Sequence, residues 1–258
     1  MVPPSLFVYG VGVVPSPSWT RSLARLSVGG ALGLLALGPW GTPAEPEAEA
    51  KDKGVGKGLY ENGCRVQAPQ KFLERRSFLV KGILDTRKHN EATRYFAEHY
   101  GHVEDDLTPK YNGEAARTQA KLIRFMGLPI QVHAKIAPAY ACVEKRIAKT
   151  CAAPASRYTP KAIGGFRYAN TYRGAEISNH LFGIAIDIDP DQNPCCGCVD
   201  PWPSSPICKK PGNAYQRTSL PKCWINAFER YGFDWLGHDT LEDTMHFEFL
   251  GNPERITK

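Results

Sequence analysis

The sequence is short of the features that would send it to a membrane or to nucleic acid. Its apolar run at Leu26 to Gly38, LSVGGALGLLALG, is about 13 residues long where a bilayer core needs roughly 20, so no stable membrane span is expected. Dense basic stretches are missing too: 32 Lys and Arg stand against 26 Asp and Glu, and the net +6 lacks the clustering of a nucleic-acid binder. No internal repeat is visible. With 42% hydrophobic and 22% charged residues, the composition excludes wholesale disorder and collagen-like structure. What is left is a chain of 258 residues, enough for one sizeable domain with a packed core.

Arg21 and Arg25 precede the apolar run, and Pro39, Trp40 and then small residues follow it, which is the grammar of a signal peptide. Residues 1–50 therefore read as signal peptide and leader, and the Gly- and Lys-rich 51–63 as a linker into a single domain at 64–258. Export, to the periplasm or outside the cell, fits the cysteines. Cys64, Cys142, Cys151, Cys195, Cys196, Cys198, Cys208 and Cys223 make an even eight, all beyond the leader, and disulfides are the default in that compartment. Eight cysteines allow 105 connectivities and the sequence assigns none; Cys142 and Cys151 flank a helix end, where a local pair is one option, and the other close cluster falls in one Pro- and Cys-dense insertion at 189–223. The rival, a thiolate zinc site, lacks the paired two-residue spacers of zinc ribbons.

The half at 64–160 reads as helical. Apolar residues between Gln70 and Tyr100 recur at helical spacing with Gly82 as a break, and a further helix is expected over Gly113 to Met126, ended by Gly127 and Pro129. Ile130 and Val132 suggest a short extended piece. Ile136, Tyr140, Val143 and Ile147 then mark one face of a helix that ends near Cys151. Between 161 and 258 the period changes. Ile184, Ile186 and Ile188 alternate with Ala185, Asp187 and Asp189, a short helix follows at Cys223 to Tyr231, and Met245, Phe247 and Phe249 alternate with Thr244, His246 and Glu248. The expected fold is α+β: a small antiparallel sheet packed by helices, with a disulfide-rich loop insertion.

Two strands thus each present a possible metal ligand on a polar face. Ser178-Asn-His180-Leu-Phe-Gly183-Ile-Ala185-Ile-Asp187 puts a His seven residues before an Asp, too far for one helical turn, so a bend at Gly183 must bring them together. His246 supplies a third donor. Two imidazoles and a carboxylate would hold one zinc ion with a position left for water. Asp189 shares the face of Asp187 and is its only nearby substitute.

These segments resemble the zinc D-alanyl-D-alanine carboxypeptidases and their phage-endolysin relatives, the L-alanyl-D-glutamate peptidases. SNHLFGIAID fits their Ser-x-His-x-x-Gly-x-Ala-x-Asp motif, and Asp243-Thr-Met-His246-Phe-Glu fits their Asp-x-x-His-Phe-Glu ending. The resemblance implies zinc on His180, Asp187 and His246, with Asp243 as the catalytic carboxylate. Strict strand alternation would instead choose Glu242 as the residue sharing a side with His246. Gly164-Gly-Phe-Arg167 is similar to the family's Gly-Tyr-Arg segment, which implies that Arg167 binds substrate and stabilises the developing oxyanion. Arg173 is a less well placed alternative. Ser178, from the motif, would contact substrate or orient the site. An Asp at position 243 leans toward the endopeptidase branch, since carboxypeptidase members often carry Glu there.

The implied function is a monomeric zinc metallopeptidase acting on peptide bonds of peptidoglycan, either at the D-alanyl-D-alanine terminus or inside the stem or cross-bridge. A non-catalytic wall-binding module of the same fold is the alternative, and Asp243 with Arg167 argues against it. A Cys-dependent hydrolase would need a free thiol beside a His, which an oxidised CCGC cannot offer. His89, His99, His102, His133 and His238 have no partner spacing and read as surface or core residues.

Overall fold

The computed structural model describes residues 59–258 apart from 104–107, 109–110, 112, 173–175 and 200. The expected signal peptide, the first eight residues of the expected linker and Arg173 lie outside the described residues. The linker's last five residues are inside the fold: β1 (Tyr60–Glu61) and β2 (Cys64–Arg65) pair as a hairpin. Next come α1 (Arg75–Phe78), a tight hairpin of β3 (Leu79–Val80) and β4 (Ile83–Leu84), and α2 (Thr86–Tyr100). Gly82 is therefore a hairpin-turn residue, and one long helix follows it. Asp85 caps α2 by accepting a hydrogen bond from the Lys88 amide.

The helix expected over Gly113 to Met126 is instead β5 (Ala120–Phe125), paired with β6 (Leu128–His133). The reason is in the turn. Met126 and Gly127 both take positive φ, 50° and 85°, which is the two-residue hairpin geometry that matches strand twist. Gly127 closes that turn and stops no helix. Ile130 and Val132 are extended and buried, as their alternation suggests.

α3 (Ala137–Thr150) carries Tyr140, Val143 and Ile147 on its buried face, with Ile136 buried just before it. β7 (Ile163–Gly164), β8 (Ala185–Ile188), α4 (Lys222–Glu229), β9 (Phe233–Trp235) and β10 (His246–Phe249) complete the fold. The sheet runs β7-β8-β10-β9, antiparallel throughout, and pairs His246 with Asp187 and Glu248 with both Ala185 and Asp234. Helices α3 and α4 cover one face, where Phe228 stacks on Phe247 at 4.2 Å and Tyr140 meets Phe233 edge-on at 5.3 Å. The chain is α+β, as its patterning indicates.

The other face of the sheet is the unexpected one. Asp187, Asp234, His246 and Glu248 occupy it, and all four are buried. Charges out of water need partners, so this face has to be read as a network.

The local Cys142–Cys151 option is not the one taken. Cys64 joins Cys142 and Cys151 joins Cys223, so the two outer bridges tie β2 to α3 and the end of α3 to α4. Cys142 and Cys151 are nine residues apart, about two and a half helical turns, and point to opposite sides of α3. Cys223 belongs to α4 rather than to the insertion. Within the insertion Cys195 joins Cys198 and Cys196 joins Cys208, and no described cysteine is free.

Candidate metal centre

His180 sits on a single 3-10 turn, Asn179–Phe182, and its own amide donates to the capping Ser178 hydroxyl. Gly183 ends that turn at φ 68°, and a Cβ there would strike the Phe166 ring and come within 2.9 Å of the His133 amide nitrogen. The bend the motif required is therefore made where only glycine fits. It delivers His180 beside the adjacent strands that carry Asp187 and His246.

The three side chains converge. His180 Nε2 lies 3.2 Å from His246 Nδ1 and 3.2 Å from Asp187 Oδ2, and His246 Nδ1 lies 2.9 Å from Asp187 Oδ1. The far nitrogens have other partners. His180 Nδ1–H donates to the Gly165 carbonyl at 2.6 Å, and His246 Nε2–H donates to Glu248 at 3.4 Å. Assigned from these partners, the ring protons sit on the outside, so the near nitrogens turn lone pairs toward each other and toward Asp187. Three acceptors aimed at one point, all buried, require a positive charge there. In the protein's own balance that charge is a proton on His246. Burial opposes it, but the hydrogen bonds to Asp187 and Glu248 push the imidazole up to about 10. Burial also works against ionising Asp187, yet His180 and His246 outweigh it and hold the carboxyl well below its usual range. Burial lowers His180, leaving it neutral and able to ligate.

Among the described residues, these three donors make a group fit for a metal ion, with ligand atoms within 4.8 Å of one another. Cys195, Cys198 and Asp243 are equally close, but the two sulfurs are bonded to each other and offer no thiolate. Asp189 is no substitute ligand. Its carboxylate accepts from the Tyr158 hydroxyl at 2.6 Å and from the Lys161 and Ala162 amides at 2.8 and 2.7 Å, which fixes the entry to β7.

The centre opens on a cleft of about 470 Å³, lined by Asp187, His246, Asp243 and Arg167 among others. The choice between Glu242 and Asp243 turns on the backbone before β10, which is loop. Glu242 takes φ 43°, so strand alternation does not apply, and its carboxylate pairs with Arg217. Asp243 lines the cleft, and its buried Oδ1 has no hydrogen-bond partner. Burial, reinforced by Asp187 and opposed by His246, pushes its carboxyl up to about 7. Arg167 also lines the cleft, where Nη2 donates to Asp187 and Nη1 donates to the Thr171 hydroxyl at 3.3 Å. Ser178 is different. It is fully buried and does not line the cleft, so its position suits the orienting role rather than substrate contact.

Two residues behind this group lie inside the motifs without a role having been read for them. Glu248 accepts from His246, and Asn179 Nδ2 donates to the same Glu248 oxygen at 2.7 Å, so His246 is held in one orientation from behind. The signal was present, because Glu248 follows His246 by two residues on one strand face. The remaining histidines stay out of the centre. His133 bonds the Tyr100 carbonyl, and His238 and His99 pair with Glu229 and Glu254.

Residues 171–249 match the model of a family described as D-alanyl-D-alanine carboxypeptidase. That stretch contains His180, Asp187, Asp243 and His246, so the resemblance carried by the two motifs is supported independently. At the level of the family, the match supports a peptidase, a hydrolase of peptide bonds. Comparison with curated proteins and with solved structures returns no match.

Proposed function

We propose that the protein is a zinc metallopeptidase that cleaves peptide bonds in the stem peptides or cross-links of peptidoglycan. One observation carries this reading: three buried acceptors, on His180, Asp187 and His246, face a single point beside an open cleft. The donor set is the two-imidazole, one-carboxylate set of catalytic zinc sites. The substrate class comes from the family match alone.

His180, Asp187 and His246 would hold the ion. When bound, it supplies Lewis acidity toward the scissile carbonyl and draws the pKa of a water toward about 7. The chain's own residues do the rest. Asp243, a buried carboxylate that lines the cleft with one oxygen unpartnered, is placed to accept a proton from the attacking water and return it to the leaving amine. Arg167 presents a planar, permanently charged fork at the cleft floor, suited to a substrate carboxylate or to the oxygen that gains charge. Its contact with Asp187 holds the guanidinium in place. Asn179 and Glu248 keep the His246 ring from turning.

Four disulfides, together with no helix among the described residues long and apolar enough to cross a membrane, accord with a site of action outside the reducing cytosol. The test is mass spectrometry of defined muropeptides incubated with wild type and Asp243→Ala, with the metal content of both proteins measured. Wild type should release a fragment and lose that activity in EDTA. The variant should keep its metal and lose roughly a thousandfold in turnover. Turnover retained by the variant would move the base elsewhere, and activity that survives chelation would remove the metal from the reaction.

A further inference from the structure

The two banks of the cleft differ in chemistry. One bank is polar, and its Arg75 is already engaged, donating to Glu176 at 2.8 Å and to Asp239 at 2.6 Å. The other bank is apolar and comes largely from the insertion and the segment it rests on. Val199, Trp202, Leu241 and Met245 line it; Met245 is buried, whereas Val199 and Trp202 stand outside the hydrophobic core. Trp224 and Trp235, by contrast, are core residues. Val199 is 53% exposed, an unusual position for an aliphatic side chain on a loop that two disulfides hold still. Exposed apolar surface inside a concave site is the ordinary signature of a ligand contact.

This bank is fixed relative to the reacting residues. The Cys196 amide donates to the Glu242 carbonyl at 3.2 Å, the Gly197 amide to the Leu241 carbonyl at 2.6 Å, and the Thr244 amide to the Pro194 carbonyl at 3.3 Å. Cys195 and Asp243 form a backbone bridge. Gly197 lies so close that a Cβ would stand 2.6 Å from the Thr240 carbonyl oxygen. The loop and the Asp243 segment are therefore one rigid piece, and a side chain docked on the loop is registered against the base.

We infer that Val199 and Trp202 form an apolar subsite beside the reacting centre, which selects peptides carrying an aliphatic side chain on a residue next to the scissile bond. The inference rests on the peptidase reading for its substrate, though not for the existence of the subsite. No signal in the motifs points to it, because the insertion has no periodicity and lies between them.

The test uses a set of short D-configured peptides in which each residue flanking the bond is in turn alanine, leucine or aspartate. Competition for hydrolysis is followed by mass spectrometry, and binding of the same peptides by calorimetry, for wild type, Val199→Asp, Val199→Ala and Trp202→Ala. At one of the two positions wild type should prefer leucine over alanine by about tenfold or more, the scale of added methylenes in an apolar pocket, and should disfavour aspartate further. Val199→Asp should erase or reverse that preference, and Val199→Ala and Trp202→Ala should weaken it severalfold. Val199→Ala keeps the test valid if the charged variant folds poorly. A Lys209→Ala variant, on the same loop but away from the cleft, should rank the peptides as wild type does. An identical ranking in every variant, or no ranking in wild type, overturns the subsite. A ranking in binding without any hydrolysis leaves the subsite standing and removes the peptidase reading, and hydrolysis without a ranking does the reverse.

Discussion

The four-stranded sheet and the loop at 189–221 meet at one cleft, and different forces hold them. The sheet is fixed by its hydrogen-bonded register and by aromatic packing under β9 and β10, with its charged face held by ion pairs and hydrogen bonds such as Arg76 to Asp234 and Asn179 to Glu248. The loop contains no strand or α-helix among its described residues. It keeps its shape through Cys195–Cys198, Cys196–Cys208 and backbone bonds to the Asp243 segment. Position is thus set in one region by non-covalent cooperation and in the other by covalent closure. The lesson is that the proposed metal site and the loop wall of the cleft should respond to different perturbations: the sheet to protons, the loop to reductant.

The sharpest way to break that division is to cut disulfides of the two kinds. Cys64–Cys142 closes 78 residues and joins the first hairpin to α3, whereas Cys196–Cys208 closes 12 within the loop. Replacing Cys64 and Cys142 by Ser should lower global unfolding free energy by about 4 kcal/mol in denaturant titration, since the long bridge restrains the whole unfolded chain. The same replacement at Cys196 and Cys208 should cost the global transition about 1 kcal/mol or less, because the loop can open while the sheet stays folded. Its effect should appear as proteolytic nicking within 196–208. Equal losses of global stability would mean that loop and sheet unfold as one unit.

The proton sensitivity of the sheet comes from Asp234, which faces Glu248 across β9 and β10. Burial first, and then the Glu248 charge, push the Asp234 carboxyl up to about 7 against the pull of Arg76. The folded protein then holds a proton that the unfolded chain releases near pH 4. The corresponding stability is complete below pH 4 and is lost as pH rises through about 7, so the folded state is favoured on the acid side of this window. Unfolding free energy should fall by about 2 kcal/mol from this group between pH 5 and 8, beside the fall contributed by the likewise raised Asp243, and Asp234→Asn should make the total fall smaller by that amount. Chemical denaturation at several pH values decides it. The same slope in the variant would place the titrating group elsewhere.

What could be read from the chain beforehand follows the same division. α3, α4, β8 and β10 were legible because each buries a face whose period, 3.6 or 2, is written in its apolar residues. β5 was not. In Ala120 to Phe125 the adjacent Leu122 and Ile123 satisfy either period, and Gly127 serves equally as a helix stop or a hairpin turn. The disulfides were opaque for a different reason: Cys64 finds its partner 78 residues away, a relation no local pattern encodes. The convergence of His180, Asp187 and His246 followed their motifs, and Glu248 could have been seen from strand alternation alone. Val199 and Trp202 could not, because an aperiodic loop does not say which of its side chains turn toward a cleft.

The smallest effect concerns Ser178, where two roles make opposite demands. As a cap, its hydroxyl accepts from the His180 amide at 3.4 Å and is fully buried. As a substrate contact it would have to reach the cleft, which it does not line. Ser178→Ala should therefore cost about 1 kcal/mol of stability, the usual loss for a helix cap, and leave KM unchanged. Any fall in kcat should track a looser His180 and be matched by weaker metal binding, since the turn that presents the imidazole would fray. A rise in KM with metal affinity intact would be the signature of lost substrate binding instead. It would show that this turn moves during catalysis, making the sheet side of the cleft less rigid than the stapled loop opposite.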